Sequence, residues 1–449
     1  MSEMKQIKKH NSGILLAMPF FVVMAILTVV SFIIPLRPTQ SSMEKRDLAK
    51  FPEFSVSSLA DGSYFSDISL WFSDTFPGRE DWLMLSSSIS TLHGYSDIAI
   101  EGDLTLGEEI PVEIPSVQTP ISDSVEQMEV PEDVPAETES AGWGGVDVEG
   151  QEISQTAVIQ IGDTAFNSLG FSQSASDIYI RNLNTLAQTL EGTGVRVVNA
   201  PAPTAIGIMV EPEYLEQMRC ARQDEMLSYL HSGMHEDIVK VDTVSALTEH
   251  NDEYLFFRTD HHWTALGAYY SYRAVCEALG FVPAELESFE TWELGEFEGS
   301  IYWKARYPQK LRLDTVTAYI PQGDIECYNS AEGSYFNEID LLQDVTDWKA
   351  NTRYLTFISG GAALTRITNN SLPDAPNCAV VIDSFGNCFV PFLTQNYHNI
   401  YAVDYRKYHA MNLQDFCEEY EIDDLIVAPY MTATQSPQAN GFFKGLFGV

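Results

Sequence analysis

Apolar residues fall along this chain in two contrasting patterns. Asn11 to Leu36 include no charged residue and are rich in Ile, Leu, Val, Phe and Met, a run longer than the roughly 20 residues needed to cross a bilayer. From residue 155 onward, short apolar runs alternate with segments of helical spacing. Tyr179, Leu183, Leu186 and Leu190 form one such stripe, which predicts a helix over 178–190. Further helices fit at 222–231, 264–279, 385–395 and 411–420. Apolar runs at 195–200, 237–241, 254–257, 354–358, 378–382, 400–404 and 424–427 read as strands. Strands alternating with helices of this length predict an α/β fold, a mostly parallel sheet with helices on both faces. Ligands of such sheets bind beyond the carboxyl ends of the strands.

Charge divides the chain further. No lysine or arginine occurs between Arg79 and Arg181, and residues 101 to 150 are dominated by Glu, Asp, Pro, Ser, Thr and Val. Such a segment repels itself and cannot bury enough surface to offset its chain entropy, which predicts a disordered, easily nicked linker. The expected order is a tail at 1–10, a transmembrane anchor at 11–36, a juxtamembrane helical region at 43–96, an acidic linker at 100–154 and the α/β domain at 155–449. Lys5, Lys8 and Lys9 precede the anchor. Lysines beside a membrane segment stay cytoplasmic, so the C-terminal domain is expected outside, tethered to the cell membrane by a single pass. Pro35-Leu36-Arg37-Pro38 is not a small-residue cleavage site, which favours an anchor over a cleaved signal peptide.

The net charge of -39 argues against a nucleic-acid partner, since a phosphate backbone demands a positive stripe. Lys304, Arg306, Lys310 and Arg312 form a local cationic exception. They read either as a solvated face or as a contact to an anionic glycan or carrier. The six cysteines have no C-x-x-C spacing, which removes the common zinc and thiol-redox signatures and favours free buried thiols, with pairing left open.

Two motifs carry candidate chemistry. Thr259-Asp260-His261-His262-Trp263-Thr264 puts a carboxylate beside two imidazoles, and Val380-Val381-Ile382-Asp383-Ser384-Phe385-Gly386-Asn387 reads as a buried strand turning sharply at a serine. A serine hydroxyl becomes a good nucleophile only when an imidazole takes its proton, and the imidazole needs a carboxylate to fix its tautomer. The competing reading is that Asp260 or Thr259 and Ser384 merely cap helices. A zinc site on Asp260, His261 and His262 is a third reading, disfavoured because adjacent histidines rarely face one ion. No metal and no cofactor is expected.

The Asp-His-His-Trp run, the later Asp-Ser-Phe elbow and the N-terminal architecture resemble the DHHW-motif protein family. That family is similar to the alginate O-acetyltransferase group of permuted SGNH hydrolase-like proteins, in which an Asp-x-His-Trp signature precedes the serine. Glu44-x-Arg46-x-Leu48, Phe76-Pro77-Gly78-Arg79, Gly299-Ser300-Ile301-Tyr302 and Phe357-Ile358-Ser359-Gly360-Gly361 extend the likeness. The resemblance implies an SGNH hydrolase-like domain in which Asp260 orients, His262 is the base and Ser384 the nucleophile, with His261 in the variable middle place. It implies an acyltransferase or esterase acting on an envelope polysaccharide, with an acyl donor, a glycan acceptor and room for a membrane protein that delivers the acyl group. Trp263, Asn387, Gly360, Gly361, Lys304, Arg306 and His261 are secondary candidates for substrate or oxyanion contacts. After Gly360-Gly361 come Ala362-Ala363, not a side-chain amide, which also suggests a non-catalytic glycan-binding or assembly module on the same fold.

Overall fold

Cys378-Ala379-Val380-Val381-Ile382 and Asp424-Leu425-Ile426-Val427-Ala428 are buried at every residue. Successive strand residues point to opposite faces, so a strand buried throughout must be covered on both sides. The two strands lie at the centre of an eight-stranded sheet. The computed structural model describes residues 158–333 and 335–448, with 37–38, 40–41, 46–47, 50–52, 64, 68, 71–72, 75–76, 145–146 and 153–155 before them. The expected anchor at 11–36 and nearly all of the acidic linker lie outside the described residues. Among the described residues, no helix is long and apolar enough to cross a membrane.

The sheet comprises β1 (Arg196–Asn199), β2 (Val239–Lys240), β3 (Ile325–Ser330), β4 (Asn337–Glu338), β5 (Leu364–Asn369), β6 (Cys378–Ile382), β7 (Asn399–Asp404) and β8 (Asp424–Ala428), in the spatial order β4-β3-β5-β7-β6-β8-β1-β2. From β7 to β2 all neighbours are parallel, whereas β5, β3 and β4 join antiparallel. The sheet is thus mixed, and the expectation of a mostly parallel one holds for one half only. The antiparallel half has the half-buried alternation of a sheet with one wetter face, a pattern that a search for continuous apolar runs passes over.

Three further expectations need correction. Tyr254 to Phe257 is outside the sheet, and its strand-like pairing is an isolated bridge between Phe256 and Trp263. The run at 354–358 is covered by 3-10 turns at Ala350–Thr356 and Ile358–Gly360. The expected helix at 385–395 is a 3-10 turn, Ser384–Cys388, followed by a short helix, Val390–Leu393, with Pro391 in its first turn. Helices at Gln173–Thr189, Gln223–Gly233, Ala265–Leu279 and Leu413–Glu419 lie where the periodicity put them. A hairpin of Glu290–Phe297 and Asp314–Ile320 and a C-terminal helix, Pro437–Phe447, complete the larger elements. A small antiparallel sheet joins Ile153–Gln155, Ile159–Ile161 and Thr164–Phe166. All six cysteines are buried and free.

The chain divides into two units, up to Ser96 and from Asp97. In the first, the Arg37 guanidinium donates to Thr75 Oγ1 at 2.7 Å and lies over the Trp71 ring at 4.1 Å.

His231, in the last turn of the helix Gln223–Gly233, has a buried Nε2 with no hydrogen-bond partner. Burial pulls its pKa from 6.5 down to about 4, against the attraction of Asp242. The unfolded chain therefore takes this proton first, and the stability it contributes is complete above about pH 6.5 and lost as pH falls towards 4. His231→Gln is expected to flatten the fall in stability between pH 7 and pH 4.5 by up to about 3 kcal/mol, at 1.36 kcal/mol per unit. Urea unfolding at both pH values checks this, and equal falls in variant and parent would contradict it.

Candidate active site

The Asp-His-His-Trp run sits in a tight loop between the Phe256–Trp263 bridge partners, where the Phe257 N–H donates to the His262 carbonyl at 3.2 Å. Asp314, at the start of a hairpin strand, clamps the loop from behind. Its carboxylate accepts from Tyr254 OH (2.5 Å), Arg258 N (2.8 Å), Thr259 N (2.8 Å) and Thr259 Oγ1 (2.5 Å). Burial pushes the Asp314 carboxyl up, and these hydrogen bonds oppose it. No motif in the sequence singled out Asp314.

Gly299 closes the loop from the other side. A Cβ there would lie 2.3 Å from the Thr259 carbonyl oxygen and 2.4 Å from Asp260 Cβ, both fixed by backbone. The close approach lets the Ser300 N–H donate to Asp260 Oδ2 at 2.6 Å and the Ile301 N–H to the Thr259 carbonyl at 3.0 Å. Gly299→Ala is expected to cost about 1–3 kcal/mol through overpacking. By displacing Asp260 it should also cut any ester turnover by about 10²-fold. Melting and turnover of the variant test this, and unchanged values for both would contradict it.

Ser384 opens the 3-10 turn that follows β6. The turn is capped by Asp383, whose Oδ1 accepts from Phe385 N at 3.0 Å and whose Oδ2 accepts from Tyr430 N at 2.9 Å. Helix Ala265–Leu279 is capped by Thr264, whose hydroxyl accepts from Gly267 N. Asp260 and Ser384 are therefore not the capping residues, and the capping explanation for them falls.

The two motifs meet. His262 Nδ1 lies 2.5 Å from Asp260 Oδ1, and His262 Nε2 lies 2.8 Å from Ser384 Oγ. A carboxylate can only accept, so Nδ1 carries the ring proton and Nε2 accepts from the serine hydroxyl. Asp260 is fully buried, and its Oδ1 also accepts from His262 N at 3.0 Å. Tyr354 stacks on the His262 ring at 4.1 Å and donates through its hydroxyl to the Ser384 carbonyl at 2.9 Å. Trp263 is a buried anchor: its indole N–H donates to the Phe385 carbonyl at 2.8 Å and ties the two motifs together.

The secondary candidates divide. His261 Nδ1 lies 2.8 Å from Ser300 Oγ, and the residue lines a cleft of about 490 Å³ together with Ser384, Asp383, Arg406 and Tyr430. Asn387 is buried, and its amide packs against Gly361. Asn387 lies one 3-10 turn beyond Ser384 and, unlike it, is not among the cleft's lining residues. The Gly360 and Gly361 N–H groups donate within their own turn, to Phe357 and Ile358 carbonyls at 2.9 and 3.0 Å, so neither can meet a developing oxyanion as the sequence suggested. Lys304 and Arg306 follow Ser300 on short turns and are not among the cleft's lining residues. The ligating atoms of Asp260, His261 and His262 lie within 4.8 Å of one another, but both nitrogens of His262 are engaged by Asp260 and Ser384.

A serine, a histidine and an aspartate in one hydrogen-bonded chain at the edge of a mixed α/β sheet define a class of site known for acyl chemistry. The chain belongs to the DHHW protein family, which matches over residues 44–119 and 120–403. It is similar to a solved DHHW family protein from Eubacterium siraeum, with 25% identity and a TM-score of 0.58 over 66% of this chain and 98% of that one. Bacillus cereus PatB1 shares the fold, with 16% identity, a TM-score of 0.53 and coverage of 64% and 99%. The O-acetyltransferase domain of Pseudomonas putida AlgJ aligns at 15% identity and a TM-score of 0.37, covering 63% and 96%. No curated protein matches the chain.

Proposed function

We propose that this protein is a serine acyltransferase or esterase of SGNH type, acting on hydroxyls of an envelope polysaccharide. The observation that carries the reading is the contact of 2.8 Å between His262 Nε2 and Ser384 Oγ, with Asp260 at 2.5 Å on the far ring nitrogen. In this scheme Ser384 Oγ attacks the carbonyl carbon of an acyl ester while His262 Nε2 takes the hydroxyl proton. The tetrahedral intermediate then expels the donor alcohol, which leaves with that proton, and Ser384 is acylated. His262 next deprotonates an acceptor hydroxyl, which takes the acyl group and frees Ser384.

In this reading the Ser384 N–H, at the start of the 3-10 turn, would donate to the developing oxyanion. Transfer is favoured over hydrolysis by the likeness of the DHHW motif to the O-acetyltransferase group. We place the reaction outside the cytoplasm, on a domain tethered by the apolar run 11–36 and separated from it by the acidic segment 100–154. The acyl group would come from a donor supplied at the membrane.

Incubating the full chain with 4-nitrophenyl acetate tests the reading. A burst of nitrophenolate matching the protein concentration, followed by turnover that accelerates when a glycan acceptor is added, is expected. A folded protein that releases no nitrophenolate would favour the non-catalytic module. Such a protein would keep the fold and bind glycan without chemistry, as the spent Gly360 and Gly361 N–H groups would allow.

A further inference from the structure

One side chain outside the triad reaches both its base and its nucleophile. Tyr354 lies in the 3-10 turn Ala350–Thr356, just ahead of Phe357-Ile358-Ser359-Gly360-Gly361, a recognised motif that the acyl chemistry does not use directly. Its ring stacks on the His262 imidazole, with centroids 4.1 Å apart and planes 16° from parallel. Its hydroxyl donates to the Ser384 carbonyl at 2.9 Å and lies 3.4 Å from Cys388 Sγ. The His261 and Phe385 rings also approach His262, at 3.9 and 4.9 Å, but they are tilted by 36° and 44°. Among the described residues, Tyr354 is the ring that lies flat on the base.

Tyr354 is itself held in place. It is 3% exposed, and Phe257 and Phe357 pack against its ring at 6.1 and 5.4 Å. Burial keeps the phenol proton on, well above its usual range, so the hydroxyl stays a donor. His262 needs such a guide. The torsion that turns an imidazole about its Cβ–Cγ bond has broad minima, and a turn about that bond swings Nε2 away from Ser384 Oγ. A ring lying flat at 4.1 Å blocks the turn. Reactive geometry must hold within about 0.5 Å and 10–20°, and a misplacement of about 1 Å costs about 10²-fold in rate. The stack also acts electrostatically: once Nε2 has taken the serine proton the imidazole is a cation, and the face of a tyrosine attracts cations.

We propose that Tyr354 is a positioning residue of this site, whose ring fixes the plane of His262 and whose hydroxyl fixes the backbone of Ser384. The proposal rests on the acyl-transfer reading, so it is tested by geometry as well as by kinetics. Tyr354→Phe keeps the flat ring and loses the hydroxyl, whereas Tyr354→Leu loses both. With the full chain and 4-nitrophenyl acetate, kcat is expected to fall about 3- to 10-fold in Tyr354→Phe and at least about 10²-fold in Tyr354→Leu, with KM within about twofold of the parent in each. Crystal structures should show the contact of His262 Nε2 with Ser384 Oγ kept in Tyr354→Phe and opened beyond hydrogen-bonding distance in Tyr354→Leu.

Equal kcat in the two variants, or changes confined to melting temperature or KM, would overturn the proposal, because packing alone would account for them. A closed contact in the Tyr354→Leu structure would overturn it as well. Should Tyr354→Leu fail to fold, Tyr354→Phe decides: an unchanged kcat with an unmoved Ser384 backbone counts against the proposal. A parent that releases no nitrophenolate would sink the acyl-transfer reading alone, and the crystal structures would still decide the geometry. An active parent whose kcat survives Tyr354→Leu would sink only this inference.

Discussion

Ser384→Ala is expected to abolish turnover of an acetyl ester, a loss of at least about 10⁴-fold in kcat, with little change in stability. The hydroxyl is half-buried and its contact is with the His262 ring, so its removal leaves no buried polar atom stranded apart from His262 Nε2. His262→Ala should be equally damaging, and the double variant no worse than either single one, because nucleophile and base act as a unit. Nitrophenolate release by the three proteins, alongside their melting curves, checks this. Retention of a tenth or more of the activity in Ser384→Ala would place the chemistry elsewhere. Additive losses would mean that the two residues do not act together.

Asp260→Asn should cost about 10³ to 10⁴ in kcat while the domain stays folded. The carboxylate holds the proton on His262 Nδ1 and so leaves Nε2 as the acceptor for Ser384. An amide in its place can donate to Nδ1 and turn the ring to the wrong tautomer. His261→Ala should be milder, since its Nδ1 is engaged with Ser300 Oγ at 2.8 Å and it is His262 that contacts the serine. A dead His261→Ala beside an active His262→Ala would reverse the assignment of the two imidazoles.

The residues that meet in the site were more legible in the sequence than the scaffold that holds them. Residue types bring Asp260, the two adjacent histidines and Ser384 together as candidates, because a nucleophilic serine requires such partners, and the family resemblance selects His262 over His261. The strand before Ser384 is legible for a similar reason: Cys378 to Ile382 is an unbroken apolar run, as burial on both faces demands. The Asp260 loop was misread as following a strand. Its apolar run, Tyr254 to Phe257, packs into the core without joining the sheet, and apolarity reports burial rather than pairing.

Long-range bracing was invisible. Asp314 lies more than fifty residues from Thr259, and nothing local in Leu313-Asp314-Thr315 marks a carboxylate that satisfies two backbone N–H groups and two hydroxyls of a distant loop. Gly299 was part of a recognised motif, but its reason, the closeness of the Thr259 carbonyl and Asp260 Cβ, exists only in three dimensions.

Active-site labelling tests the central claim most directly. The full chain is treated with phenylmethylsulfonyl fluoride, which sulfonylates an activated serine, and its peptides are mapped by mass spectrometry. A single adduct on Ser384, lost in His262→Ala and strongly slowed in Asp260→Asn, is the predicted result. A folded protein with no adduct, or with adducts unaffected by His262→Ala, would contradict a serine activated by His262 and Asp260.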